Sequence, residues 1–175
     1  DAVIVGGTMA NTLLAAKGLA VGKSQIEKES IPDIKKSVLE SVKILFPLDV
    51  GVENKGRKGT KKFSEIDAED NIFDLGPETM RQAESLIKNA RFVLWNGPLG
   101  YVEKGFDLST RQLARSLIKS KAETIVGGGD TVAFLRKEKI LSKFSFVSTG
   151  GGAMLEFLAN GTLPGIGALK NRINP

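Results

Sequence analysis

Four times in 175 residues a short apolar run ends in a turn of small residues, and three of those turns lead directly into a helical pattern. The four are Ile4-Val5-Gly6-Gly7, Leu94-Trp95-Asn96-Gly97-Pro98, Ile125-Val126-Gly127-Gly128-Gly129-Asp130-Thr131 and Val147-Ser148-Thr149-Gly150-Gly151-Gly152. Short β-branched runs alternating with helical runs are the mark of βαβ units. The fold predicted is therefore α/β: three layers, a mainly parallel sheet with helices on both faces, Rossmann-like. In such a sheet the turns fall at the carboxyl ends of the strands, the edge where open α/β folds bind ligands.

The rest of the chain fits the same alternation. Val3 to Val5 reads as a strand and Met9 to Lys17 as a helix. Ser30-Ile31-Pro32-Asp33 has the form of a helix start, with Ile34, Val38 and Val42 on one face. Ile44 to Val52 reads as extended and broken at Pro47, and Asn71 to Leu75 as a strand. Pro77 opens a helix whose buried stripe is Met80, Ala83, Leu86 and Ala90. Arg91 to Trp95 is a strand, and Asp107 or Ser109 caps a helix carrying Leu113, Ala114, Leu117 and Ile118. Thr124 to Val126 and Phe144 to Val147 are the last strands, the second leading to a helix around Ala153 to Leu158. No linker or low-complexity tract interrupts the pattern, so 1–175 is read as one nucleotide-binding domain. A chain of this length buries roughly 70% of the surface it exposes when unfolded, enough for a core without staples. Asp1, with no Met before it, leads at once into a strand, and the expectation is a chain that begins inside a larger fold.

Composition removes several chemistries. There is no cysteine, hence no disulfide, thiolate ligand or thiol nucleophile, and the setting expected is the reducing cytoplasm. There is no histidine, the commonest general base and a favoured zinc ligand. The net charge of +5 resides in Lys55, Arg57, Lys58, Lys61 and Lys62; without that stretch the chain is neutral. Only Gly and Thr separate these cations, which reads as a solvated surface turn rather than a nucleic-acid face. No apolar run approaches the ~18 residues of a membrane span.

Glycine lets a backbone approach a ligand closely, and the first N–H groups of the following helix lack partners and carry partial positive charge. A phosphate answers both. A single Gly-Gly pair is simply a tight turn; two triple-glycine turns, each entering a helix, point to anion binding. Gly127 to Thr131 is the sharpest of them. It places the Asp130 carboxylate and the Thr131 hydroxyl in the first helical turn, and Mg²⁺ bound with phosphates takes one or two carboxylates and keeps several waters. Gly18-Leu19-Ala20-Val21-Gly22-Lys23-Ser24 imitates a phosphate-binding loop, but it has three residues between its glycines where four are needed and it follows a helix, so it reads as a helix-stopping turn. Neither triple-glycine turn continues into the dinucleotide G-x-G-x-x-G spacing.

Taken in order, Gly6 to Thr12, Phe73-Asp74-Leu75-Gly76-Pro77-Glu78-Thr79, Trp95 to Glu103, Gly127 to Thr131 and Ser148 to Ala153 resemble the carboxy-terminal half of phosphoglycerate kinase. Val21 to Ser24 and Pro47-Leu48-Asp49-Val50 also fit. The resemblance implies a glycolytic, cytoplasmic, monomeric enzyme that moves a phosphoryl group reversibly between 1,3-bisphosphoglycerate and Mg-ADP, giving 3-phosphoglycerate and Mg-ATP. It implies that Gly6, Gly7, Ile72 and Phe73 line the adenine pocket and that Gly97, Leu99 and Val102 wall the nucleoside. Glu103 would accept the ribose hydroxyls and Asn96 would lie near the phosphates. Asp130 would hold Mg²⁺, Thr131 would bind phosphate, and Gly128, Gly129, Gly151 and Gly152 would offer amides to the moving phosphoryl group. Phosphoryl transfer depends on positioning and charge stabilisation, so the lack of His and Cys is no obstacle. The family's basic amino-terminal domain, which holds the phosphoglycerate, has no counterpart in these residues, nor has the strand with a Gly-Gly-Ala-Lys turn that precedes the match. By themselves the 175 residues are expected not to turn over. Thr8 stands where the family usually has Gly or Ala, and the basic stretch has no counterpart there.

Overall fold

The computed structural model describes residues 1–173. They form two compact units: Asp1–Ala90 with Pro98–Lys121, and Arg91–Gly97 with the chain from Ala122 onward.

In the first unit β1 (Val3–Ile4) runs into α1 (Gly7–Ala16) and pairs in parallel with β2 (Ile44–Leu45), which follows the short α2 (Lys36–Leu39). β3 (Asp49–Asn54) is the centre of an antiparallel sheet between β4 (Arg57–Lys62) and β5 (Asn71–Leu75). α3 (Pro77–Asn89) packs on α4 (Leu108–Lys119). Val50, Val52 and Ile72 form a buried cluster covered by Val21, Phe63 and Ile66. Val5, Ala10 and Leu13 form another, covered by Ile34, Leu39, Ile44 and Phe46.

In the second unit β6 (Phe92–Asn96), β7 (Glu123–Gly127) and β8 (Phe146–Val147) lie parallel in that order. α5 (Gly129–Lys137), α6 (Gly151–Asn160) and α7 (Pro164–Ile173) complete it. The register pairs Asn96 with Gly127, so β6 and β7 end level. Trp95 is buried against Phe144, ring centroids 6.1 Å apart, and its indole N–H donates to the Gly97 carbonyl at 2.7 Å.

The α/β class is borne out, with parallel pairing in two of the three sheets. The antiparallel sheet is what the alternation did not announce. The basic stretch is not only a turn: Lys55 (φ +49°) and Gly56 (φ +80°) form a two-residue hairpin connection, and Arg57 to Lys62 continue as a strand along β3. The helix expected after Ser30 is also corrected. Lys28–Asp33 is a 3₁₀ segment with Pro32 inside it, Ile34 is extended, and α2 has four residues. Ser30 turns its hydroxyl to the Glu27 carboxylate, and Val42 is 100% exposed. Proline has no amide to carry a helical ladder onward, and Ile34 and Leu39 reach the core without one. On α3 the buried stripe is Met80, Ala83 and Ile87; Leu86 is exposed and Ala90 lies past the helix end. The phosphate-loop look-alike is structural, as expected. The Lys23 amide donates to the Asp70 carbonyl (2.7 Å), its ammonium pairs with Glu69 (2.8 Å), and the Ser24 hydroxyl accepts the Ile72 N–H (2.7 Å).

Candidate functional site

Five helices begin close behind strands or strand-end turns, and they divide by what fills their first amides. α3 is filled from within: the Asp49 carboxylate accepts the Glu78 N–H (2.9 Å), the Thr79 N–H (2.8 Å) and the Thr79 hydroxyl (2.8 Å). The Thr79 oxygen in turn accepts the Leu48 and Asp49 amides at 2.9 and 3.1 Å. α4 is filled in the same way, by Asp74 on β5. Its carboxylate accepts both the hydroxyl and the amide of Ser109, as well as the Leu108 amide. Ser109 is thus the capped residue and not the cap, while Asp107 pairs with Arg111 at 2.8 Å. Burial pushes the Asp74 carboxyl above its ordinary value, against these bonds. At α1 the first amide, on Gly7, is taken by the Leu99 carbonyl; α5 and α6 begin on Gly128 and Gly150 with no side-chain cap among the described residues. A helix start left open in this way is an anion site in waiting.

In the second unit the turns after β6, β7 and β8 meet. Gly128, at φ +88°, has space for a Cβ only 3.2 Å from both the Asn96 Oδ1 and the Gly97 amide nitrogen. A Cβ on Gly127 would lie 2.9 Å from the same Oδ1, and one on Gly151 would strike it and come within 2.6 Å of the Gly128 Cα. Three strand ends therefore close on one side-chain oxygen. That oxygen is buried and has no hydrogen-bond partner among the described residues. Buried polar atoms are nearly always partnered, and an exception calls for a cause. A carbonyl oxygen suits a cation, a cation's bound water or an N–H or O–H donor.

The sequence-derived residues of this unit fall as follows. Gly129, Asp130 and Gly152 are exposed in the first turns of α5 and α6. Thr131 is fully buried, and its hydroxyl oxygen accepts the Gly97 N–H at 3.0 Å, tying the turn after β6 to α5. No group of three or more acidic, His or Cys side chains stands ready for a metal among the described residues. A metal here would have to arrive with ligands of its own, which fits Mg²⁺ carried on phosphate oxygens with Asp130 as the protein's carboxylate.

In the first unit the residues assigned by resemblance to the nucleoside lie on three segments, 6–7, 72–73 and 99–103. The Gly6 Cα has the Leu99 carbonyl so close that a Cβ would lie 2.8 Å from it, and the Gly7 amide donates to that carbonyl at 3.1 Å. Leu99 is buried and its amide donates to the Thr110 hydroxyl at 3.1 Å. Phe73 packs its ring on Tyr101 (5.6 Å) and Phe106 (5.1 Å), and its carbonyl accepts the Tyr101 N–H at 2.7 Å. Val102–Lys104 is a single 3₁₀ turn with Glu103, exposed, at its centre. Ile72 is buried and packs with Val50 and Val52, and it borders one small cavity together with Gly7 and Phe73.

Asp49, Asp74 and Thr110, which position these segments, were not singled out by pattern. The available signal was an acid inside an apolar strand, since Asp is almost never buried unless paired; its partners lie about thirty residues on, where no local spacing reveals them.

A family model described as phosphoglycerate kinase matches residues 1–161. The phosphoglycerate kinase of Desulfosudis oleivorans is 41% identical over 179 residues, covering 97% of this chain and 45% of that protein. That of Pelotomaculum thermopropionicum is 42% identical over 181 residues, covering 98% and 46%. A solved phosphoglycerate kinase structure from Coxiella burnetii matches with a TM-score of 0.87 at 39% identity, over 98% of this chain and 46% of that one. One from Pyrococcus horikoshii matches with 0.81 at 28% identity. The chain spans about half the length of the curated relatives it matches.

Proposed function

Because the chain belongs to the phosphoglycerate kinase family, we propose that it supplies the nucleotide-binding part of a reversible phosphoryl transfer between 1,3-bisphosphoglycerate and Mg-ADP. Gly6, Gly7, Ile72 and Phe73 take the adenine, Gly97, Leu99 and Val102 wall the nucleoside, and Glu103 accepts the ribose hydroxyls. The second unit takes the phosphates: amides of Gly128, Gly129, Gly151 and Gly152 receive phosphate oxygens, and Asn96 and Gly97 line the same turn. Asp130 holds the Mg²⁺ that arrives with them, and that ion neutralises charge on the phosphates. Thr131 keeps its proton free to donate while its oxygen fixes Gly97.

The observation that carries this reading is the unpartnered Asn96 oxygen at the meeting of three glycine turns, beside helix starts that nothing caps. Two other helices show that this fold caps its helix starts with side chains where no ligand is wanted.

Phosphoglycerate chemistry lies outside these residues. The 175 residues alone are expected to bind Mg-ADP weakly and to form no ATP, because closure of two halves normally assembles such a site and excludes water. A monomeric, cytoplasmic setting belongs to the same proposal; among the described residues no helix is long and apolar enough to cross a membrane. Calorimetric titration of Mg-ADP into this chain and into Asp130→Asn tests the assignment. The expected result is a clear loss of affinity in the variant that depends on Mg²⁺, and equal affinity at saturating Mg²⁺ removes Asp130 from the metal. Addition of a separately produced amino-terminal half should restore ATP formation.

A further inference from the structure

Lys58 stands on β4 opposite Glu53, within the basic stretch, and reaches far from its own hairpin. Its ammonium donates to the carbonyl oxygens of Lys104 (2.9 Å) and Gly105 (3.2 Å) and lies 4.1 Å from the centroid of the Phe106 ring. Those carbonyls close the Val102–Lys104 turn, where Gly105 is left-handed at φ +71°. The last carbonyls of a helical turn lack partners and carry partial negative charge, so a cation there supplies both donors and countercharge. A second cation holds the other side: the Lys104 ammonium lies 4.5 Å from the Phe73 ring and 5.2 Å from Tyr101. The turn's own backbone bonds are few: Gly105 N–H to the Val102 carbonyl (2.9 Å), Lys104 N–H and Phe106 N–H to the Tyr101 carbonyl (3.0 and 3.1 Å) and Val102 N–H to the Gly100 carbonyl (3.0 Å). One isolated helical turn is unfavourable by itself, so its shape depends on what grips it from outside.

We propose that Lys58 is a positioning residue for nucleoside recognition: by clamping the end of the Val102–Lys104 turn it fixes Glu103 where a carboxylate can accept two ribose hydroxyls. This rests on the assignment of Glu103 to the ribose. Lys58 itself touches no ligand in this scheme, and it gives part of the basic stretch a function other than solvation.

The test compares Mg-ADP with Mg-2′,3′-dideoxy-ADP by calorimetry, on the chain and on Lys58→Met, Lys58→Arg and Glu103→Gln, with folding checked by circular dichroism. Lys58→Met keeps an apolar stem near Phe106 and removes the donors; if it does not fold, Lys58→Gln is read in its place. Loss of the clamp is expected to weaken Mg-ADP roughly three- to tenfold. It should leave the dideoxy nucleotide unchanged, Lys58→Arg should restore most of the loss, and no further loss should appear when Lys58→Met is added to Glu103→Gln. An equal loss for both nucleotides, or none for either, overturns the clamp. If Glu103→Gln discriminates between the nucleotides and Lys58→Met does not, the clamp alone fails. If Glu103→Gln does not discriminate, the ribose assignment fails and takes the clamp with it.

Discussion

Asp70 and Asp74 stand four residues apart, both shut away from solvent, and titrate in opposite directions. Burial pushes the Asp70 carboxyl up, but the Lys61 ammonium, the Asp67 N–H and the Asn54 amide outweigh it and hold the group below its ordinary value. At Asp74 burial prevails over the bonds from Ser109, Leu75 and Leu108, and the group is raised. Asp70 therefore adds stability above its unfolded value that is lost as pH falls through its lower folded value. Asp74 does the reverse: its contribution is complete below its unfolded value and is lost as pH rises through the higher folded one. Lys61, raised chiefly by its bond to Asp70, keeps its contribution until pH passes above its ordinary 10.5. Urea unfolding followed over about pH 3 to 8 should show the acid limb flattened in Asp70→Asn and the loss on raising pH from about 4 flattened in Asp74→Asn. Unchanged slopes in both variants would mean that neither carboxylate is held as described. At this scale the sequence made the setting of Asp130 and its glycines legible, since Gly127 ends a strand and Gly129 and Asp130 open a helix. It did not reveal Asp74 as a cap for α4, because Ser109 is 35 residues away.

Among elements, the contrast between capped and open helix starts yields a paired experiment. Asp49→Ala removes three hydrogen bonds from the first turn of α3 and leaves buried donors unpaired, so it should cost about 1–3 kcal/mol of stability. Mg-ADP affinity, measured on the folded fraction, should not change. Gly151→Ala should lower affinity and stability together, because the new Cβ runs into the Gly128 backbone and the Asn96 oxygen, and backbone cannot yield cheaply. Chemical denaturation and calorimetry on the same two variants separate the effects, and a Gly151→Ala protein that binds normally would show that the meeting of turns is not where phosphate goes. Glycine-punctuated helix starts were readable because periodicity changes abruptly there. β4 was not, since Arg57 to Lys62 lacks the apolar alternation of a half-buried strand and becomes a strand only by pairing with β3. The helix expected after Ser30 failed for the converse reason: its cap-like spelling was local, while Pro32 and the few apolar side chains that reach the core left room for one short turn.

For the whole molecule, the chain passes between its two units at residues 90/91, 97/98 and 121/122, all in short strand–helix connections with no linker composition to mark them. The candidate residues of the first unit are aromatic rings and the Glu103 carboxylate, and those of the second are helix-start amides and the Asp130 carboxylate. Neither has a histidine or a cysteine, and among the described residues the one carboxyl held above its ordinary value, Asp74, is already bonded to α4. Binding of a ligand to the folded state must appear as stability. A ligand at one hundred times its dissociation constant adds about 2.7 kcal/mol, and for a chain of this size each kcal/mol raises the melting temperature by about 2–4 °C. Trp95, the only tryptophan, lies in the second unit and reports its melting by fluorescence. Saturating Mg-ADP should therefore raise the Trp95 transition by roughly 5–10 °C. Mg-pyrophosphate should retain part of that shift and adenosine none of it, because the second unit is assigned the phosphates. A Trp95 transition that responds to adenosine and ignores pyrophosphate would reverse the division of labour between the units.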